Sequence, residues 1–417
     1  MGISSEDRET RFETNLVSRH RHGKFWRFVY ASSTVVGMAV LVLLLLNILN
    51  SAFGYAAVVY TIDPDELAIN GYSIEMLHKD DLVYILEQNV SSGVFRKLAN
   101  DKPFADRSRV EVYDLVVEWV VKPQIVRTWS LAESLFQKGM ILEEMAGIYP
   151  DAEVQFVSWL DADFLTTPQS SDAEKAGVRT ALLGSLAVIV ITILFAFPLG
   201  VGAAVYLEEY ADPGKLINRI IQTNINNLAG VPSIIYGILG LAIFVRALEP
   251  FTSGALFGAV EAGTTANGRT ILSAGLTLGV LILPLIIINA QEAIKAVPNS
   301  LRLASYGLGG TRWQTVWHHV LPSALPGILT GTILAVSRAV GETAPLIVIG
   351  ASTFITVDPD GPFSKFTVLP IQIYQWTSRP QAEFRNIAAA AIIVLLGLLL
   401  TLNATAVLLR NRYSKRL

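Results

Sequence analysis

The stretch "EAIKAVPNSLRLASYGLGGTRWQTVWHHVLPSALPGI", Glu292 to Ile328, decides how the chain is read, because it is a patterned polar loop set between two apolar runs. Pro298 suits a first helical turn, and "NSLRLASY" continues it as helix-forming sequence. Gly307, Gly309 and Gly310 end that helix, since glycine takes the left-handed conformation at low cost. Thr311 with Gln314 three residues later is a capping-box pattern, each side chain placed to satisfy the other residue's backbone N–H, so a second short helix is expected to start there. Pro322 and Pro326 are expected to close it and launch the next apolar run. The residues predict a helix, glycine turn, helix hairpin on the cytoplasmic face, which by itself could still serve as an ordinary connection.

Outward from this loop the chain is membrane-like. Of 417 residues 52% are apolar and only 16% charged, with a mean hydropathy of +0.47, which is too apolar for an ordinary soluble protein. A spanning helix needs about 20 mostly apolar residues. Six segments meet that test, at roughly 30–53, 178–206, 217–246, 271–290, 324–351 and 386–409. The first is expected to remain as an anchor, its apolar core being too long for a cleaved signal peptide. There is no cysteine, so disulfides and thiolate metal sites are excluded, and the five histidines show no ligand-like spacing beyond the adjacent His318 and His319. No cofactor or metal is expected in this chain.

Residues 61–175, between the first two spans, carry a net charge of −11, whereas the remainder carries +8. The cluster Arg19, Arg21, Lys24 and Arg27 places the N-terminus in the cytoplasm, because short basic flanks stay inside while long domains translocate largely regardless of charge. The insert then lies outside. The tail "RNRYSKRL" and the 291–322 loop, with Lys295, Arg302 and Arg312, fall inside. Within the insert, "RVEVYDLVVEWVV" (residues 109–121) alternates like a strand and "SLAESLFQKGMILEEM" (130–145) reads as helix, predicting a small α+β domain. Its scattered acids form no catalytic constellation; they read as a solvated surface or as a docking face for an extracytoplasmic partner.

The fifth span, taken as one helix from Pro326 to Ala351, has its midpoint near Arg338. A lone arginine at the bilayer centre costs about 2.5–3.5 kcal/mol on insertion scales, so it must face protein or water. Glu342, one helical turn along the same face, is placed to pair with it. Two readings stay open: a fixed pair bracing the bundle, or an arginine lining an anion path, its planar guanidinium suited to bidentate contact with an oxyanion. Gly331, Gly341 and Pro345 are expected to permit close packing or a kink. Asn224, Asn226 and Asn227 are read as interhelical hydrogen-bonding groups or as hydration for a path, and Arg246 as a snorkelling anchor.

The loop resembles the EAA loop of ABC importer permeases: Ala304, Gly309, Leu321 and Pro322 match, while Leu303, Ser305 and His319 depart from the pattern. With "PLGVGAAVYLEEYA" from Pro198, "NNLAGVPSIIYGILGLAIF" from Asn226, "SRAVGETAPLIV" and "LPIQIYQW" from Leu369, residues 178–410 resemble the PstA family of phosphate importer permeases. That resemblance implies an all-α polytopic fold of six transmembrane helices of the type I importer kind, carrying the α+β insert. Together with the apolar runs and basic flanks, this divides the chain into a basic N-terminus 1–29, a first span 30–53, an extracytoplasmic domain 54–177, a permease domain 178–410, the part the resemblance covers, and a tail 411–417. The resemblance further implies that Arg338 and Glu342 serve translocation, and that Leu303, Ala304, Ser305, Gly309, Leu321 and Pro322 belong to an ATPase-coupling loop. The implied partners are a PstC-like permease, a dimer of ATP-binding subunits using ATP and Mg, and an extracytoplasmic phosphate-binding protein, in a bacterial inner membrane and without nucleic acid. No "GxxxxGK[ST]" loop occurs, so the chain is expected not to hydrolyse ATP. The competing readings are a permease for a related oxyanion such as phosphonate, a signalling receptor, which would need a cytoplasmic output domain that no segment supplies, and a secondary transporter, for which no internal repeat is found.

Overall fold

A computed structural model describes residues 16–258 and 267–414; the ends of the expected basic N-terminus (1–15) and tail (415–417) lie outside the described residues. Helix α1 (Leu16–Ala52) runs for 37 residues and passes directly into strand β1 (Phe53–Val59). The insert continues through α2 (Lys79–Asn89), α3 (Ser92–Asp101), α4 (Arg109–Val116), β2 (Gln124–Thr128), α5 (Leu131–Phe136), α6 (Lys138–Ile148), β3 (Glu153–Ser158) and α7 (Ala162–Thr166). Its three strands form one antiparallel sheet in the order β2-β1-β3.

The strand expected over 109–121 is a helix. Ser108 and Glu111 form a capping box that starts α4, and a π-helical turn extends it through Val121. Val112, Val116 and Val120 are buried at four-residue intervals, so the face that decides the structure has helical period. The apparent alternation arose because valines occupy both faces. The helical reading of 130–145 agrees with the structure, which divides the stretch between α5 and α6.

The membrane part comprises α8 (Arg179–Val205), α9 (Leu216–Ala229), α10 (Ser233–Gly240), the short α11 (Glu249–Thr252), α12 (Ile271–Lys295), α13 (Asn299–Gly307), α14 (Arg312–Thr315), α15 (Leu321–Val340), α16 (Ala344–Ile349), α17 (Leu369–Thr377) and α18 (Ala382–Ser414). Among the described residues five helices are long and apolar enough to cross a membrane: α1, α8, α12, the continuous run Arg312–Val340, and α18. The expected span at 217–246 is instead a bent pair, α9 and α10, turning by 108°. Pro232 has no N–H to give the carbonyl of Leu228, and that oxygen accepts from the Tyr236 hydroxyl at 2.7 Å.

Helix α12 sits centrally, with 67% of its most apolar window buried, whereas those of α1 and α18 are wholly unburied within the chain. Small residues bring its neighbours close. Gly275 and Gly279 lie against Ile191 and Phe195, and Gly200 against Ile286, so α8 runs parallel to α12; Gly327 and Gly331 lie against Ala293 and Asn289, so α15 runs antiparallel.

The insert is packed on the bundle. Trp159, Phe164 and Ala176 share one apolar cluster with Val178, Ala181, Trp376, Phe384 and Ile387. Buried Gln169 donates to the Thr353 carbonyl (3.0 Å) and to Gln375 Oε1 (2.6 Å), and accepts from the Ile355 amide (3.1 Å). A buried amide with all these partners is a fixed joint.

Candidate functional site

The expected fifth span, 324–351, differs from the structure at both ends. The helix begins at Arg312: the capping box of Thr311 and Gln314 is present, but Pro322 and Pro326 do not close it. A π turn over Val316–Val320 moves the bonding so that Leu321 N–H reaches the Val316 carbonyl, and the helix passes through both prolines. At its other end it stops at Val340. Gly341 is a weak helix former, and Pro345 has no N–H to return to the Gly341 carbonyl, so the chain breaks and restarts as α16.

Arg338 is therefore in the last turn of α15 and Glu342 within the break that follows it. They do pair, Arg338 Nε to Glu342 Oε1 at 3.2 Å, but across a helix end rather than along one continuous face. The helix carboxyl terminus also favours the arginine's charge. The depth expected from a single span is recovered in another way. Gly331 lies opposite Asn289, and carrying that antiparallel register seven residues on sets Arg338 opposite Ile282, about the middle of α12. Ala335 and Ala339 pack in one cluster with Ile282, Ile286 and Tyr236. At this depth the Arg338 side chain is 45% exposed and that of Glu342 16%. The break at Gly230–Pro232 reaches the same level, since Val231 packs on that cluster. Two helix breaks and an ion pair thus share the middle of the bundle, where irregular backbone is tolerated only if buried in protein or lining a wet cavity.

At the loop end, α13 stops as expected. Gly309 adopts φ +82°, and Gly310 N–H reaches the Ser305 carbonyl at 3.0 Å. Ser305 is buried, its hydroxyl 2.8 Å from that of Thr315, so this departure from the EAA pattern ties α13 to the following helix. Leu303 is 62% exposed, Ala304 is exposed, and Leu321 and Pro322 are half-buried. Trp313 and Trp317 stack at 5.4 Å on the exposed surface. The structure brings these loop residues together and leaves Arg338 and Glu342 far along α15.

Several residues were not singled out from sequence. Glu209, at the end of the π turn after α8, accepts from Arg302 Nη2 (2.7 Å) and Nε (3.1 Å), while Arg302 also donates to the carbonyls of Val297 (2.8 Å) and Ile294 (3.0 Å). Glu208 accepts from Gln291 (2.9 Å) and lies 3.1 Å from Lys295 Nζ; Gln291 and Gln222 bond each other. The signal was the adjacent pair of acids in "LEEYA", at the end of an apolar span and facing a basic loop. Among the described residues the Asn224 side chain bonds only its own helix, through the Ile220 carbonyl, and Asn226 accepts from Gln222 four residues earlier.

The sequence over most of this bundle matches one family model. The chain belongs to the binding-protein-dependent transport system inner membrane component family, whose model matches residues 196–415. The probable ABC transporter permease protein YqgI of Bacillus subtilis is 32% identical over 293 residues, covering 66% of this chain and 94% of that protein. The phosphate transport system permease protein PstA 1 of Mycobacterium tuberculosis is 35% identical over 242 residues, covering 58% and 72%. PstA of Haemophilus influenzae is 30% identical over 247 residues, covering 58% and 79%. This binding-protein-dependent importer component is a multi-pass inner-membrane permease with the type I fold, and is a transporter subunit rather than an enzyme. Such permeases work with a separate ATPase and a substrate-binding protein.

Proposed function

We propose that this chain is one of two membrane subunits of an ATP-driven inorganic phosphate importer, with Arg338 and Glu342 on the phosphate path. The observation that carries this reading is the half-exposed Arg338 side chain at the mid-depth of α12. Facing lipid there it would be costly, so that face belongs against a second subunit or a wet passage. The guanidinium makes one long contact with Glu342 among the described residues, leaving donors for a phosphate oxygen, and the carboxylate holds the arginine between visits and keeps binding weak enough for release. The PstA relatives named above give phosphate as the substrate to test first.

In this reading residues 54–177 are extracytoplasmic, 178–410 form the permease domain, and the segments 1–29 and 411–417 are cytoplasmic, a sidedness that rests on the basic flanks. Around the 291–322 loop, Leu303, Ala304, Gly309, Leu321 and Pro322 build the surface on which a dimer of ATP-binding subunits docks, with buried Ser305 holding the two helices together beneath it and the exposed Leu303, Trp313 and Trp317 supplying the apolar face. ATP and Mg are used by that dimer. A PstC-like permease completes the path and an extracytoplasmic phosphate-binding protein delivers the ion. Closure of the ATPases moves the loop, and the braced helix ends carry the movement to the mid-depth breaks, a transition between two packed states.

The test is uptake of labelled inorganic phosphate by the reconstituted complex, with phosphonate and sulfate as competitors. Saturable uptake that phosphate alone suppresses supports the reading. Equal competition by phosphonate would reassign the substrate, and ATP-independent uptake would overturn the importer reading.

A further inference from the structure

The short helix α16 has an arginine at each end. Arg338 and Glu342 lie just before its start. At its other end Gly350 takes φ +99°, and Arg269 packs over it so closely that an added Cβ would lie 2.7 Å from Arg269 Cδ. The six residues of α16 rise about 9 Å. Helix α10 runs beside α16 in the same direction, Gly237 against Pro345 and Val245 in one cluster with Leu346 and Ile349. Arg246 follows Val245. A cavity of about 410 Å³ opens there, lined by Leu241, Val245, Arg246, Glu249, Asn267 and Arg269.

We infer that Arg246 and Arg269 form an entry site for a tetrahedral oxyanion, one short helix from Arg338. This rests on the reading of Arg338 as part of an anion path. Among the described residues that line the cavity, two guanidinium groups stand against one carboxylate, and their planar donor sets suit phosphate oxygens. Glu249 keeps the site from becoming a trap. A cavity lined by two arginines raises the local concentration of an incoming anion. Snorkelling accounts for an arginine at the end of a span, but not for two from separate segments lining one cavity, one of them seated on the glycine that ends α16.

The experiment is initial-rate uptake of labelled inorganic phosphate by the complete importer in liposomes, over a range of salt and of loaded binding protein. The Arg246→Gln/Arg269→Gln double variant is expected to lose at least about tenfold at limiting substrate and low salt, the gap closing as salt rises, because steering is screened. Its rate at saturating substrate stays near wild type. Arg246→Lys/Arg269→Lys keeps the salt dependence, and Gly350→Ala, which displaces Arg269 without removing charge, moves in the same direction as the glutamine pair. Wild-type rates at every salt concentration in an assembled glutamine variant overturn the site. If that double variant does not assemble, Arg269→Gln alone is judged by the same measure. In vesicles of phosphorus-free glycolipid the loss persists if the arginines receive free phosphate; its disappearance there assigns them to lipid headgroups and overturns the proposal. Failure of the mid-depth reading looks different: Arg338→Ala would then import normally whatever the outer pair does.

Discussion

Two of the arginine–glutamate pairs in this chain lie at opposite extremes of use. Arg302 and Glu209 are largely buried, 16% and 7% exposed, and three guanidinium nitrogens are engaged by a carboxylate and two backbone carbonyls. Arg338 and Glu342 meet through one bond of 3.2 Å, with the arginine 45% exposed. A saturated pair fixes one arrangement, since every donor would be lost on moving. An unsaturated pair at mid-depth holds an arginine in place while leaving donors available. The same two residue types therefore make a brace at the loop end and a receptive group at the centre, and donor count separates them better than distance.

The sharpest way to break this contrast is to remove each arginine in turn. Arg338→Ala is expected to abolish phosphate uptake while the complex still co-purifies; normal uptake would end the anion-path reading. Arg302→Ala should behave oppositely, destabilising the chain by about 3–5 kcal/mol because Glu209 is left buried and unpaired. A thermal midpoint equal to wild type in that variant would show that the brace carries nothing. A smaller effect is expected at Gly309, where φ is +82° and no atom lies within 4 Å of an added Cβ. Gly309→Val therefore meets only backbone strain, about 1–2 kcal/mol or more for a β-branched residue, and should loosen the coupling of ATP hydrolysis to uptake. An unchanged ratio of phosphate moved to ATP consumed would show that the turn is not critical.

The smallest effect tests a solvent-side carboxylate. Burial pushes the Glu174 carboxyl above the usual range, partly opposed by the hydrogen bond it accepts from the Ile125 amide (3.0 Å). A raised carboxyl pKa means the folded state holds the proton more tightly, so this group's contribution falls as pH rises from the unfolded value through the folded one. Glu174→Gln keeps an acceptor for Ile125 and should raise the thermal midpoint at neutral pH. The gain should vanish below the ordinary carboxylate range, and a constant gain at all pH would refute the burial account.

Much of this architecture was legible because long apolar runs and caps are local signals. The termini of α8, the start of α12, the Thr311–Gln314 capping box and the Gly309 turn follow from residues within a few positions of each other. What escaped the sequence depends on nonlocal geometry or on two periods competing in one segment. Valines on both faces hid the helix at 109–121, and hydropathy did not distinguish a straight span from one broken at Gly341 or Gly230. At the site, the Arg338–Glu342 pairing followed from spacing, but its exposure did not, being set by which helices flank it. The Arg302–Glu209 brace joins residues 93 apart in sequence, and no local rule links them.

The direct passage of α1 into β1 has a mechanical result. With Phe53 following Ala52 and no intervening residue, there is no hinge between the long first helix and the central strand of the sheet. A 37-residue helix is about 55 Å long, so a tilt of about 5° swings its far end by about 5 Å. Helix α1 is thus a lever arm with the insert as its load, and rocking at the foot of one is felt as displacement of the other.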